Sequence, residues 1–432
     1  MSSEWLETTL GEVVELKRGY DLPRRNRKDG TIPIVSSSGI SDTHNEAKVS
    51  GPGVVTGRYG TLGQVYWIEG DYWPLNTTLY VKDFKGNDPR YISYLLETID
   101  YLSYSDKAAV PGVNRNHLHL AKVKIPRYEE QKLIAHILNT LDEKIELNRQ
   151  MNQTLEAIAQ AIFKSWFVDF EPVKAKQKAR EAGGSAEDIE RAGMAAICGK
   201  ATTKLDFLAN EIQESLNSAT KLFPDELTSS EFGIIPLGWN SGCLIDFAKL
   251  TMGQSPKSEF YNTEGQGLPF HQGVKNFGSR FPTHNVFCTV ENRIAERGDI
   301  LFSVRAPVGR INVADRKMVI GRGLAAIRHK DNKQSFLNYF LKHSFQEEDI
   351  IGSGTIYNSV TKKEMQTLSV LSPSSLVLEY FEKIAVPIDI LIAKNDNQIR
   401  ILSELIYTLL PKLLSGEINF SGAGKQLQKV VQ

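Results

Sequence analysis

The 432-residue sequence predicts an α+β chain of two similar mixed α/β modules joined by two long antiparallel coiled-coil helices, with pseudo-twofold symmetry. Three observations lead there. First, the chain repeats its opening: Trp5 starts Trp-Leu-Glu-Thr-Thr-Leu-Gly, followed by Leu16 and Gly19, and Trp239 starts Trp-Asn-Ser-Gly-Cys-Leu-Ile, followed by Leu250 and Gly253 at the same offsets. Second, Pro126 opens a long amphipathic stretch through Phe163, and Pro373 opens another through Leu410, 247 residues later. Third, each stretch follows a region of short β-branched and aromatic runs. A period this long exceeds the ~20 to 50 residues of a solenoid unit, so the repeat is a duplicated domain with a duplicated helix.

Residues 1–126 form the first module. Thr31 to Val35, Gly53 to Thr56, Gln64 to Ile68 and Thr78 to Val81 are strand-like runs punctuated by Gly, Pro, Asn and Asp. Arg90 to Ile99 has helical spacing, with Ile92, Leu95, Leu96 and Ile99 on one face. A first long helix is expected over 127–170 and a connector over 171–232. Within the connector, Gly183-Gly184-Ser185 breaks the chain, and Ser185 can cap a short helix from Ala186 to Ile197. The second module, 233–373, repeats the order: strands at Leu268 to Phe270, Asp299 to Val304, Arg310 to Val313 and Leu324 to Arg328, then a small helix at Phe336 to Leu341. A second long helix over 374–416 and a flexible tail over 417–432 complete the chain.

The long stretches carry a heptad seam. Ile134, Leu138, Leu141, Ile145, Asn148, Asn152, Leu155, Ala159 and Ile162 follow an alternating four-three step. Their counterparts are Phe381, Ala385, Ile388, Ile392, Asn395, Ile399, Leu402, Ile406 and Leu409. That step is the seam of a coiled coil. Asn148 and Asn395 share one seam position near the middle of each helix. In an antiparallel pair they are expected to face each other and fix register at some cost in stability.

Composition excludes several classes. Lys plus Arg and Asp plus Glu are equal at 51 each, so net charge points to no partner; a nucleic-acid role needs basic residues gathered locally. Cys198, Cys243 and Cys288 are far apart and odd in number, which supports neither a disulfide framework nor a structural zinc site and fits a reducing cytoplasm. The start lacks the basic and apolar regions of a signal peptide, and no run of about 18 apolar residues is present to span a membrane. A cytoplasmic protein is expected. No Walker-type phosphate loop, metal-ligand spacing or nuclease carboxylate cluster stands out. Gly57-Arg-Tyr-Gly60-Thr-Leu-Gly63 reads as a strand connection, and His117 and His119 alternate as on a strand edge. No catalytic residue, cofactor site or metal site is assigned.

The loops carry nucleic-acid chemistry in duplicate. Candidates in the first module are Arg18, Tyr20, Arg58, Tyr59, Asn114 and Arg115, and in the second Gln272, Lys275, Asn276, Arg305, Arg310, Arg322 and Tyr357. Arg takes guanine bidentately, Asn and Gln take adenine, and spare cations meet phosphates.

Five segments stand out together: GVVTGRYGTLGQVYWIEGDYWPLNTTLYVKDFKGNDPRYISYLL from Gly53, IPRYEEQKLIAHILNTLDEKI from Ile125, LFPDELTSSEFGIIPLGW from Leu222, DILFSVRAPVGRIN from Asp299, and LPKLLSGEINF from Leu410. Through them the chain resembles the specificity (S) subunits of type I restriction-modification systems. The resemblance runs in order to about residue 420. FKSWFVDFEP after the first long helix departs from LPKLLSGEINF after the second. The resemblance implies that each module is a target recognition domain reading half of a bipartite, asymmetric site in double-stranded DNA. It also implies that the helix pair spaces the two and docks two modification (methyltransferase) subunits. Two restriction (translocase and nuclease) subunits join them. Such a subunit has no catalysis of its own; S-adenosylmethionine, ATP and Mg2+ belong to the partners. The competing reading is a coiled-coil interaction scaffold without DNA binding, favoured if no salt-dependent DNA affinity is found.

Overall fold

A computed structural model describes residues 5–106, 112–230, 233–345, 350–351, 355–356 and 359–418. The chain forms two compact units, Met1–Arg149 with Asn397–Gln432, and Gln150–Asp396. The two long helices, Tyr128–Phe167 and Ser375–Leu414, are 40 residues each and contribute one half to each unit. The candidate Tyr357 and the tail from residue 419 lie outside the described residues.

In unit 1, a four-stranded antiparallel sheet is built from β1 (Glu15–Arg18), β4 (Gly53–Gly57), β5 (Val65–Ile68) and β7 (Thr78–Asp83), in the order β1-β7-β4-β5. A second sheet places β2 (Ile32–Ser36) between β3 (Gly39–His44) and β6 (Trp73–Pro74), with β2 and β6 parallel. Every residue of β4 is buried, which suits a Val-rich run flanked by glycines in the interior of the sheet. The helix Pro89–Glu97 is N-capped by Asp88, whose side chain accepts from the Tyr91 N–H. It buries Tyr91, Ile92, Leu95 and Leu96 in the same core as Leu16, Val54 and Leu79.

Unit 2 repeats this architecture. Its four-stranded antiparallel sheet runs β8 (Ala248–Met252), β13 (Leu324–His329), β10 (Ile300–Ser303), β11 (Ile311–Val313). A second sheet pairs β9 (Leu268–His271) parallel to β12 (Met318–Ile320). The small helix is Gln334–Ser344. Each module is closed by an antiparallel pair of a strand near its start with its last strand, Leu6–Thr9 with Lys122–Ile125 and Asn240–Cys243 with Ser369–Ser372. The two similar mixed α/β modules are therefore those the sequence predicts; how their strands join into sheets is seen in the structure. His117 and His119 differ from expectation: His117 lies in the one-turn helix Arg115–Leu118, and His119 at its end accepts the Leu16 N–H through Nε2 at 3.0 Å.

Within unit 1 the helix halves run antiparallel, Ile134 and Leu138 packing in one cluster with Leu413 and Leu414, and Leu141 and Ile145 in another with Leu402. Unit 2 shows the same arrangement, with Ala159, Phe163 and Trp166 sharing a core with Phe381 and Ala385. The second helix runs through Pro387, whose missing N–H and ring cost ~3 kcal/mol in a helix interior. Burial of Phe381, Ala385 and Ile392 along the same face outweighs that cost. The register asparagines are both buried, and each bonds within its own unit. Asn148 Nδ2 donates to Gln398 at 2.9 Å, and Asn395 Nδ2 donates to Asn152 Oδ1 at 3.0 Å.

The connector folds as Glu171–Glu181, Ala186–Cys198 and Asn210–Thr220, three helices of unit 2. Ser185 and Asp188 form the capping box of the middle one. Lys176 is buried at its centre, donating to the carbonyls of Thr220 and Phe223 and pairing with Asp225 at 2.5 Å. The FKSWFVDF tract departs from its counterpart because it packs here: Trp166 stacks on Tyr380 and Phe167 meets Trp239.

Candidate nucleic-acid interface

Five chain segments converge in unit 1, and their backbones are tied together. Gly19 N–H donates to the Thr78 carbonyl at 3.1 Å and Tyr20 N–H to the Pro74 carbonyl at 2.8 Å. Leu75 N–H reaches Val35 at the end of β2 (2.8 Å), and Arg58 N–H reaches Thr77 (2.9 Å). Val113 N–H then closes on the Arg58 carbonyl at 3.0 Å. Gly19 is required at the closest approach, since any Cβ there would collide with the Leu75 carbonyl.

Unit 2 makes the same five bonds. Gly253 and Gln254 donate to Leu324 and Ile320 at 2.9 and 3.0 Å, Gly321 to His271 at 2.8 Å, Val304 to Gly323 at 2.9 Å, and Val360 to Val304 at 2.9 Å. A Cβ on Gly253 would strike the Gly321 carbonyl. The isolated bridges agree, Tyr59 with Gly112 and Arg305 with Ser359. This common frame sets equivalent positions: Tyr20 and Gln254, Asp21 and Ser255, Ser36 and Gln272, Arg58 and Val304, Tyr59 and Arg305, Asn76 and Arg322.

The side chains at these six pairs of positions differ. In unit 1 the Arg58 guanidinium lies 4.5 Å over the Tyr59 ring, Lys17 Nζ donates to the Tyr20 hydroxyl at 3.2 Å, and Tyr20 and Tyr80 hydroxyls meet at 3.0 Å. The hydrogen bond to Tyr80, then Lys17, draws the Tyr20 hydroxyl below its ordinary pKa. Asn76 Nδ2 donates to Asp21. In unit 2 the Arg322 N–H donates to Ser255 Oγ at 3.2 Å, and Ser255 Oγ to Gln272 Oε1 at 2.7 Å. Gln272, Arg305 and Arg322 are exposed. Exposed cations, amides and one aromatic on a rigid backbone suit contacts to phosphates and base edges.

The sequences of known proteins point the same way. The model of the family described as "Type I restriction modification DNA specificity domain" matches residues 2–157 and 236–414. The chain belongs to this family. Among curated relatives, the type I restriction enzyme HindI specificity subunit of Haemophilus influenzae is 30% identical over 355 residues, covering 76% of this chain and 77% of that protein. The type I restriction enzyme MjaIX specificity subunit of Methanocaldococcus jannaschii is 25% identical over 344 residues, covering 76% and 68%. The fold is also that of the type I restriction-modification S subunit from M. genitalium, with a TM-score of 0.55 at 16% identity and 96% coverage of both chains.

Both segments matched by the DNA specificity family model contain the converging loops, and the remaining candidates distribute around them. Lys275 and Asn276 form the single turn Val274–Asn276 after β9, and Lys275 is exposed. Arg18 is exposed on β1. Asn114 caps the Arg115–Leu118 turn, accepting from the Asn116 N–H at 2.9 Å, so its side chain has a structural task; Arg115 is exposed on that turn. Arg310 lines a cleft of about 710 Å³ with Glu156, Lys164 and Lys342 from the helices of unit 2. Sequence reasoning missed Asn76 and Ser255. Aligning the two halves on Thr78 and Leu324, the first residues after the turn, would have paired Asn76 with Arg322. Among the described residues no group of His, Cys, Asp or Glu is arranged to hold a metal, and no helix is long and apolar enough to cross a membrane.

Proposed function

We propose that this chain is the DNA sequence-specificity subunit of a type I restriction-modification complex, each unit reading one half of a bipartite, asymmetric site. The observation that carries the reading is the duplicated loop frame, with one set of backbone bonds supporting two different sets of side chains. Equal frames give each reader the same approach to DNA; unequal side chains make the two half-sites different. The long helices, continuous through both units, set the unspecified gap. They also present exposed apolar side chains for protein partners: Leu147, Ile401 and Tyr407 in unit 1, Ile158, Ile390 and Leu391 in unit 2. Two modification subunits dock there, and two restriction subunits complete the assembly. Catalysis belongs to those partners, which hold S-adenosylmethionine, ATP and Mg2+, while this chain supplies sequence choice. With formal net charge zero, much of the phosphate affinity comes from the partners.

Methylome sequencing of a methylation-deficient host expressing the chain with its cognate modification subunit tests this. A bipartite methyladenine motif that disappears when the chain is omitted is expected. An assembled complex that writes no motif would overturn the reading.

A further inference from the structure

We infer that the turn Asn76–Thr77 in unit 1 and its counterpart Arg322–Gly323 in unit 2 discriminate one base in each half-site, Asn76 an adenine and Arg322 a guanine. The inference rests on the DNA-reading function above and names the residues that carry it.

The turn is braced on both sides of its tip. It is held before its tip by Leu75 N–H on Val35, or Gly321 N–H on His271, and after it by Arg58 N–H on Thr77, or Val304 N–H on Gly323. The close approach of Gly19, or Gly253, packs it from beneath. Such a backbone fixes where the tip residue's side chain starts, so every copy of the module offers its tip residue from the same place on the frame. Between the two units the brace stays and the tip changes, from an amide to a guanidinium.

The environment of each tip selects its base. Arg316 and Arg328, on either side of Arg322 in sequence, are engaged by Asp315 and Asp299. Arg322 is exposed, and among the described residues its guanidinium has no carboxylate partner, leaving its donor fork available for the O6 and N7 acceptors of guanine. Asn76 is half-buried and its amide faces Asp21. A carboxylate accepts and does not donate, so the nitrogen must face Asp21 and Oδ1 must face away. Oδ1 and the second N–H then match the N6 donor and N7 acceptor of adenine.

The test uses the full chain with its cognate modification subunit, comparing methylomes of wild type, Asn76→Ala, Arg322→Ala and Arg322→Lys. Arg322→Ala should relax one guanine in one half-site, with about 10- to 100-fold lost discrimination at that base pair and the other half unchanged. Asn76→Ala should relax one adenine in the opposite half. Arg322→Lys keeps the charge and loses the fork, so it should relax the same guanine while duplex affinity persists; it also covers the case of an Ala variant that fails to assemble. Unchanged motifs, relaxation of both halves by one variant, or relaxation at a different base would overturn the inference. A wild-type complex that writes no motif instead removes the DNA-reading function itself, so the two failures are distinguishable.

Discussion

Unit 1 and unit 2 hold their modules to the long helices through the same tyrosine-to-aspartate bond, but unit 2 adds a buried arginine. In unit 1 the Tyr94 hydroxyl donates to Asp142 at 2.5 Å; in unit 2 Tyr339 donates to Asp389 at 3.0 Å. The aspartates are equivalent, 247 residues apart. Into the second site comes Arg280, 6% exposed, bonded to Glu156 and Asp389 at 2.6 Å each and to Tyr339 at 3.2 Å. Burial pushes the Glu156 carboxyl up, and Lys342 and Arg280 together overcome it and hold it below its ordinary value. Unit 1 has Ser403 at the position matching Glu156, and Arg90 stacks on Trp67 and Tyr94 instead. Arg280 belongs to the longer loop after β9; in unit 1, β2 turns into β3 through Ser37 and Ser38 alone. A longer loop on the reading module therefore also anchors it, and the two units should differ in how they fail.

The largest difference is expected from Arg280→Ala. It leaves Asp389 without its cation, while Glu156 keeps Lys342, a loss of ~3 kcal/mol, the lower end for a buried ion pair deprived of one partner. Hydrogen exchange should show Gln334–Ser344 and the first half of Ser375–Leu414 losing protection, with Pro89–Glu97 unchanged. Equal loss in both units would erase the contrast.

Acid should separate the units next. His271 is buried, its Nε2 meets His284 Nδ1 at 3.0 Å, and His284 Nε2 meets Asp315 at 2.9 Å, which Arg316 also contacts. Burial, then His284, pushes His271 from 6.5 down to about 4. Folding therefore excludes a proton that the unfolded chain binds. Stability is complete above about pH 6.5 and is lost as the pH falls toward 4, by about 2 kcal/mol at pH 5. The equivalent residue in unit 1 is Val35, and the partly exposed His119, also lowered by burial, adds a smaller effect there. Urea unfolding at pH 7 and pH 5, followed by limited proteolysis of each unit, should show the larger drop in unit 2. His271→Val should remove most of it; an undiminished pH dependence would place the proton elsewhere.

What the sequence revealed follows from which interactions are periodic or local. The seam could be read because Ile134, Leu138, Leu141 and Ile145 recur at heptad spacing, and the Ser185 cap because it acts on Asp188, three residues away. Arg280 could not, since its partners lie 124 and 109 residues distant and an arginine in a polar loop has the same local signature whether buried or exposed. Arg58 and Arg305 look alike in sequence, each beside Gly or Pro-containing turns, yet Arg58 occupies the place of the buried Val304 and Arg305 that of Tyr59. Only the strand register, Gly57 with Thr78 and Ser303 with Leu324, exposes that shift. Asn76 was hidden for the same reason.

The smallest expected effect tests the shared bond itself. Tyr94→Phe deletes the tyrosine donor of Asp142, and a hydrogen bond to a charged group contributes about 1.5 kcal/mol or somewhat more. Tyr339→Phe removes the matching hydroxyl, but Asp389 keeps Arg280 and the Ser335 hydroxyl, which donates at 2.7 Å. Its cost should stay below about 1 kcal/mol, because the acceptor remains satisfied. In the Arg280→Ala background, Tyr339→Phe should become costlier, since Ser335 alone then serves Asp389. A double-mutant cycle on thermal unfolding reads that coupling directly. Zero coupling would mean that the tyrosine and the arginine act on Asp389 independently, and that unit 2 carries two separate anchors rather than one reinforced version of the anchor in unit 1.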